Sequence, residues 1–460
     1  MNHVQFNYFK IMQMKTLKGL LIIAVYFLFS SPGIAQVTFM KQYDFGGDEC
    51  AYALKSTADG GYIITGWKNS SLLLIKADEF GDIIWSKTLY LYNGLTGYDV
   101  IIAENGDYVV TGLISDLNYN ADLFLARFNS NGDTLWLKKF GGARFEVGWG
   151  LCETSDGGFI ATGQTQSVCD SNEVYIVKTD ANGNFQWERT YCNTNLGWGN
   201  AIKPTLDGNF IISGLNSNKN WLLKINNNGD TLWTKTYGIG GLGGCDVIQN
   251  ADGSLTVTGN GILKTDVSGN LIWMKPHGSL SFTSSNDNGY VGVTYDTDFF
   301  YGDQYIYMYK ADNNGDSIWS RVYGFHQSAW GYCIDKTQDG GFIICGRIDP
   351  EHNGGFDVIL IKTDANGLVV GLDEIENSHK TRVEISPNPF SDYSNIRISG
   401  IIPEKSSIYL YNVLGAKIMG MENIYSDNIT IYRNNLPSGV YLLELFVGDK
   451  NMFKGKLIIN

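Results

Sequence analysis

One pattern constrains this chain more than any other. An acidic or amide residue is followed three positions on by glycine, and four further on by tryptophan. It appears as DEFGDIIW, NSNGDTLW, DANGNFQW, NNNGDTLW, DVSGNLIW and DNNGDSIW, ending at Trp85, Trp136, Trp187, Trp233, Trp273 and Trp319, at intervals of 51, 51, 46, 40 and 46 residues. A seventh start, DANGLVVG at 364–371, has Gly371 where the tryptophan should be. A second marker precedes each copy: DGGYIITG at 59–66 recurs as NGDYVVTG, DGGFIATG, DGNFIISG, DGSLTVTG, NGYVGV and DGGFIICG. Each unit therefore reads as four short strands, in the second unit YDVIIAE, DYVVTGL, DLFLARF and DTLWLKKF. Asn-Gly and Asp-Gly supply the positive φ that tight hairpin turns need.

Four-stranded units at this spacing predict a β-propeller, one unit per blade. A solenoid is the rival, with shorter repeats and polar caps. The seventh unit decides between them. It lacks a fourth strand, and FMKQYDFGG at 39–47 has the form of WLKKFGG at 136–142, with Phe39 in the tryptophan position. The N-terminal segment is thus predicted to complete the last blade, which leaves no bare strand edge. A solenoid would gain nothing from such a split. The expected fold is all-β: a seven-bladed β-propeller over 36–370, closed by the N-terminal strand.

Composition agrees, with 55 Gly against 8 Pro and 13% aromatic residues. A net charge of −13 argues against nucleic acid and anionic membrane surfaces as partners. Residues 1–35 read as a secretory signal: Lys15 and Lys18, the apolar run LLIIAVYFLF, then Gly33 and Ala35 before a cut at Gln36, with Met14 as an alternative start. Ten apolar residues fall short of the roughly 20 that span a bilayer, so no transmembrane span is expected. Of the seven cysteines, Cys333 and Cys345 stand where other units have Ala53 or Ala201 and Thr65, Thr111 or Thr162, and read as small buried residues. Cys169 and Cys192 are the one pair in which a disulfide is suspected.

After a polar linker at 371–382, a second β domain begins at Val383, with strands VEISP, NIRISG, SIYLYNVLG, NITIYR, GVYLLELFVG and FKGKLIIN. The runs ISPNPF (385–390), IYLYNVLGAKI (408–418), LPSGVYLLEL (436–445) and KGKLIIN (454–460), in this order, resemble the type A C-terminal sorting domain of type IX secretion cargo in Bacteroidota. Ser386, Pro387, Asn388, Pro389, Gly415, Gly439 and Tyr441 carry the resemblance; a departure is Asn460, where many members end in Lys. The resemblance implies an immunoglobulin-like β-sandwich over 383–460, the type IX machinery as partner, and passage through the periplasm to the outer surface or the medium. The alternative is an ordinary terminal sandwich serving adhesion. The propeller repeats also resemble uncharacterised repeats found with such tails, a resemblance that carries no activity.

Repetition separates scaffold from site: what recurs in every unit serves the fold. The tryptophans are expected to fill space between blades. The third-strand cations Lys76, Arg127, Lys178, Lys224, Lys264, Lys310 and Lys362 are expected to make structural pairs rather than a basic channel ring. The NGD and DANG turns lack the terminal Glu of a calcium loop, so no metal is assigned. Three departures mark one face. Trp149, Trp198 and Trp330, each before Gly, are placed in loops that enter a first strand, with Tyr52, Tyr98 and Tyr332 close by. The sixth unit adds DTDFFYGDQ, with Asp296, Asp298, Phe299, Phe300, Tyr301 and Asp303. Together they suggest an aromatic and acidic patch suited to stacking on sugars; the bland alternative is packing between blades.

No GxSxG elbow, P-loop, CxxC or zinc-like His spacing occurs, and neither a catalytic residue nor a cofactor is assigned. The expected function is an exported surface or secreted binding protein for glycan or protein. A polysaccharide hydrolase or lyase and a structural surface-layer component are the alternatives.

Overall fold

The computed structural model describes residues 36–369 and 382–460, except 92–93, 117–119, 169–170, 192–196, 218, 239–244, 260, 298–303, 325–327, 350–354, 400–405, 413–415, 425, 427, 435 and 448–449. Among the described residues every regular element is a strand, and no helix is long and apolar enough to cross a membrane. The chain falls into two compact units, Met1–Leu372 and Asp373–Asn460. The suspected Cys169–Cys192 pair and the 1–35 segment lie outside the described residues.

The first unit holds seven four-stranded antiparallel sheets. Six are consecutive in sequence, starting at Glu49, Gly94, Glu146, Gly197, Asp246 and Ser281. The seventh joins Ala329–Lys336, Phe342–Ile348 and Asp357–Thr363 to the N-terminal strand Phe39–Tyr43. Phe39 pairs with Lys362 and Tyr43 with Val358. That is the register of all six motif tryptophans: Trp85 pairs with Lys76, Trp136 with Arg127 and Trp319 with Lys310, for example. The split-unit expectation is met residue by residue.

Third strands such as Ser71–Ala77, SLLLIKA, are buried throughout. Alternate side chains leave opposite faces of a strand, and here both faces are covered. Leu73 and Ile75 enter a cluster with Ile343 and Leu360 of the seventh sheet, whereas Leu72 and Leu74 enter one with Val110 and Phe124 of the second. Five further clusters join sheets two and three, three and four, four and five, five and six, and six and seven. Each apolar cluster thus belongs to two sheets, and the sequence of clusters returns to its start. First strands touch in the same cyclic order. This is a propeller-like arrangement with no terminal sheet.

The tryptophans hold the sheets together from outside. The Trp85 ring lies on Gly132, in the turn before the fourth strand of the next sheet, where an added Cβ would come within 2.8 Å of the ring. Gly132 has φ +77°, so the turn and the stacked ring both exclude a side chain. The same contact recurs around the unit, Phe39 on Gly81 included. Tyr43, Tyr191, Tyr237 and Tyr323, four residues beyond the ring, donate to the carbonyl of that same glycine at 2.5–2.7 Å.

The third-strand cations are structural. Lys76, Arg127, Lys178, Lys224, Lys310 and Lys362 pair with Asp59, Asp107, Asp156, Asp207, Asp287 and Asp339, all in the turn between first and second strands, at 2.5–3.0 Å. Lys264 instead donates to Asn313 of the next sheet. Burial would raise the Asp59 and Asp156 carboxyls, but hydrogen bonds from Thr57 or Thr154 and from the lysine hold both at about 2. The acid or amide that opens each tryptophan motif caps its own turn: Asp78 Oδ1 accepts from the amides of Phe80 and Asp82 at 2.9 and 2.8 Å.

The second unit contains a three-stranded sheet (Arg382–Ser386, Tyr393–Ser399, Asn428–Tyr432) and a four-stranded one (Lys417–Ile424, Ser406–Asn412, Gly439–Val447, Lys450–Ile459). Ile396 and Ile431 of the first share one apolar cluster with Leu410, Leu443 and Leu457 of the second. The SPNPF run ties down the last strand: Asn388 Oδ1 accepts from the Ile458 amide at 2.8 Å, and the Phe390 amide donates to the Ile458 carbonyl at 3.1 Å. Ser394 Oγ donates to the Pro387 carbonyl, and Tyr441 Oη to the Pro437 carbonyl. Gly415 lies outside the described residues.

Candidate ligand-binding face

The first strands carry an irregularity that positions the site. In sheets one, two, three, four and seven the pairing register slips once, stepping over Tyr52, Tyr98, Trp149, Asn200 and Tyr332. These are β-bulges, which re-aim one side chain and bring the backbone closer to its neighbour. The glycine in each TG, SG or CG pair makes the room: a Cβ at Gly163 would lie 1.7 Å from the Val147 carbonyl oxygen. The sixth sheet has Thr294 at that position and pairs without a slip.

This geometry corrects two expectations. Trp149, Trp198 and Trp330 are not in loops; all three lie within first strands. Nor do they share a register. Trp149 occupies the bulge, level with Tyr52, Tyr98 and Tyr332, whereas Trp198 and Trp330 sit before their bulges, paired with Leu215 and Arg347. The sequence holds the distinction: Trp149 precedes its glycine (Gly163) by 14 residues, Trp198 and Trp330 precede theirs by 16.

The bulge residues converge. Tyr52 lies 5.0 Å from Tyr98 and 5.1 Å from Tyr332, centroid to centroid, and Tyr98 lies 4.3 Å from Trp149. Tyr295, on the sixth sheet, continues the series at 6.2 Å from Tyr332 and 6.5 Å from Trp330. Trp330 meets Phe356 at 5.5 Å, and the Arg347 guanidinium covers both rings at 4.4 and 4.3 Å. A continuous arc of rings therefore crosses five sheets. Trp149 and Trp330 belong to it; among the described residues no ring contact links Trp198 to it.

The arc is half-buried rather than core, apart from the exposed Tyr295. Trp149 Nε1 and Arg347 Nε are buried with no hydrogen-bond partner among the described residues. Burial pushes the Tyr98 phenol up to about 12, and Tyr52 and Tyr332 higher still, so all three are neutral donors at any physiological pH. Charged groups follow along the same strands. Asp99, next to Tyr98, accepts from the Leu151 amide of the third sheet at 3.0 Å. Burial raises its carboxyl, against Lys203 and Lys55. Burial would lower the Lys55 ammonium, but Asp335, Cys333, Asp99 and Asp246 outweigh it and hold the group protonated.

Asp296 is exposed and accepts from its neighbour, the Thr297 amide, at 2.8 Å; Asp298, Phe299, Phe300 and Tyr301 lie outside the described residues. Cys345 is fully buried as expected, whereas Cys333, paired with it, is only partly so. Tyr295, Arg347 and Phe356 were not legible as site residues. Each comes from a second strand or the following loop, and joins the arc only through the fold.

Residues 384–460 match the family described as the secretion system C-terminal sorting domain. The chain is therefore cargo of the type IX secretion route, delivered to the cell surface or beyond it. No curated protein matches it in sequence. Among solved structures it is similar to the extracellular domains of two hybrid two component systems from B. thetaiotaomicron. These show 9% and 13% identity, with TM-scores of 0.49 and 0.43 over 92% and 93% of this chain. The chain spans 58% of the length of each. The Neurospora crassa Pan2 WD40 domain is similar at 10% identity and TM-score 0.45, over 72% of this chain and 97% of that one.

Proposed function

We propose that this exported chain is a binding module: a seven-bladed β-propeller over 36–370 that holds a glycan or protein ligand on its aromatic arc. Residues 1–35 serve as its signal peptide, 371–382 as a linker, and 383–460 as an immunoglobulin-like sorting domain. The observation that carries the reading is the arc itself. Seven units repeat the scaffold, yet an aromatic bulge residue occurs in only four of them, sheets seven, one, two and three, while the bulge of sheet four carries Asn200. Packing needs alone would spread such residues evenly. Half-buried rings with neutral phenols suit sugar faces, which offer C–H bonds to stack on and hydroxyls to accept from Tyr52, Tyr98 and Tyr332.

The mature exported chain on a glycan array tests this. A ligand found there should bind Trp149→Ala about tenfold or more weakly, the scale of an interface anchor. Trp198→Ala, outside the arc, should bind as the parent does. Equal loss from both, or none from Trp149→Ala, removes the arc as the site. Release of reducing sugar from the bound polysaccharide would move the reading to a hydrolase.

A further inference from the structure

We propose that Asp44, Glu49 and Asp357 form a calcium site at the seam where the N-terminal strand closes the seventh sheet onto the first. One carboxylate oxygen from each lies within 4.8 Å of the others. Calcium takes oxygen ligands at about 2.3–2.6 Å, so two oxygens on one ion stand at most roughly 5 Å apart. The three elements are the segment after Phe39–Tyr43, the start of the first sheet, and the start of the third strand of the seventh.

Glu49 points to a ligand independently of the clustering. It is 0% exposed, and among the described residues its Oε1 has no hydrogen-bond partner, while Oε2 receives the Phe45 amide at 3.4 Å. An orphaned buried carboxylate oxygen is costly unless something pairs with it.

The repeat supplies an internal control at the junction of sheets two and three. Glu146 stands where Glu49 does, Asp122 where Asp357 does, Lys139 where Gln42 does and Gly141 where Asp44 does. There the glutamate is satisfied: Oε1 accepts from Thr165 Oγ1 at 2.5 Å and Oε2 from the Gly142 amide at 2.8 Å. Lys139 neutralises Asp122 at 2.7 Å. At the seam the lysine has become Gln42, which donates to Asp357 Oδ2 at 2.6 Å, and the glycine has become a third acid. Lys68 stands where Thr165 does, opposite the glutamate, so the set changes from two acids and a lysine to three acids and a lysine. Lys68 is the cation nearby, and its Nζ donates to the Phe45 carbonyl. Burial raises the Glu49 carboxyl, against the Phe45 amide and the Lys68 charge.

An all-carboxylate set suits calcium, which accepts irregular oxygen shells, better than magnesium, which demands a near-ideal octahedron. Extracellular calcium modules bind at roughly 0.1–1 mM, so such a site would fill on export. Bound there, the ion ties the closing strand to both sheets it joins.

The test is thermal unfolding of the full mature chain, first in EDTA and then titrated with calcium chloride. The parent should gain about 2–4 °C at several millimolar calcium, with half the gain at roughly 0.1–1 mM and little from magnesium. Glu49→Gln should lose the calcium shift and, in EDTA, melt at or above the parent, because one of three repelling carboxylates is gone. Asp44→Asn, at an exposed position, repeats the test should Glu49→Gln fail to fold. A parent melting temperature unchanged by calcium overturns the site, as does a calcium shift that survives in the variant.

Discussion

Removing residues 37–43 from the mature chain should lower its unfolding temperature by more than 10 °C or drive it to aggregate. The strand pairs over five residues with Asp357–Thr363, giving roughly four or five backbone hydrogen bonds at about 1 kcal/mol each. Met40 packs on the cluster shared by sheets six and seven, and Phe39 and Tyr43 on that shared by seven and one. Losing such side chains costs about 2–5 kcal/mol apiece. The sum, on the order of 10 kcal/mol, rivals the whole stability of a typical domain. The exposed edge would be Val358, Ile359, Leu360 and Ile361, fully apolar and unpaired, which is an aggregation template. A strand of the same length lost from a solenoid's end would cost far less. Differential scanning calorimetry with light scattering reads both outcomes, and an unchanged melting curve would contradict the closure.

Removing residues 383–460 should abolish delivery without unfolding the rest. The two units have separate apolar cores, so the first loses no buried cluster of its own. In a native host the shortened chain should accumulate in the periplasm, with surface or medium levels falling at least tenfold by immunoblot of cell fractions. Its melting temperature should stay within a few degrees of the parent's. Normal surface delivery would mean that the matched tail does not act as the sorting signal in this chain.

The fold was legible because its determinants are local and repeated. The glycine in NGD or DANG fixes a turn, the tryptophan four residues on fixes the strand, and seven copies average out the exceptions. Phe39 could be placed opposite Lys362 from spacing alone. The site was legible only in part. Trp149 stands out in the sequence as a break in the repeat, and the glycine after it groups it with Trp198 and Trp330. Counting back from the TG, SG or CG glycine separates them: 14 residues to Trp149, 16 to Trp198 and Trp330. Arg347 and Phe356 carried no signal. An arginine opposite a tryptophan is a fact of strand register, and Phe356 reaches it from a loop. Glu49 was hidden for another reason: its oddity is the loss of a partner that Glu146 keeps, visible only once the two junctions are compared.

Closure is the claim on which the arc and the cation site both depend. Amide hydrogen exchange reads it directly, by comparing Val358–Lys362 with Leu72–Lys76, which lie in the same register on the first sheet. The account predicts equal protection, because both segments are covered on either side by strands. If the Val358–Lys362 amides facing the N-terminal strand exchange like a free sheet edge while Leu72–Lys76 stay protected, the ring is open and the account fails.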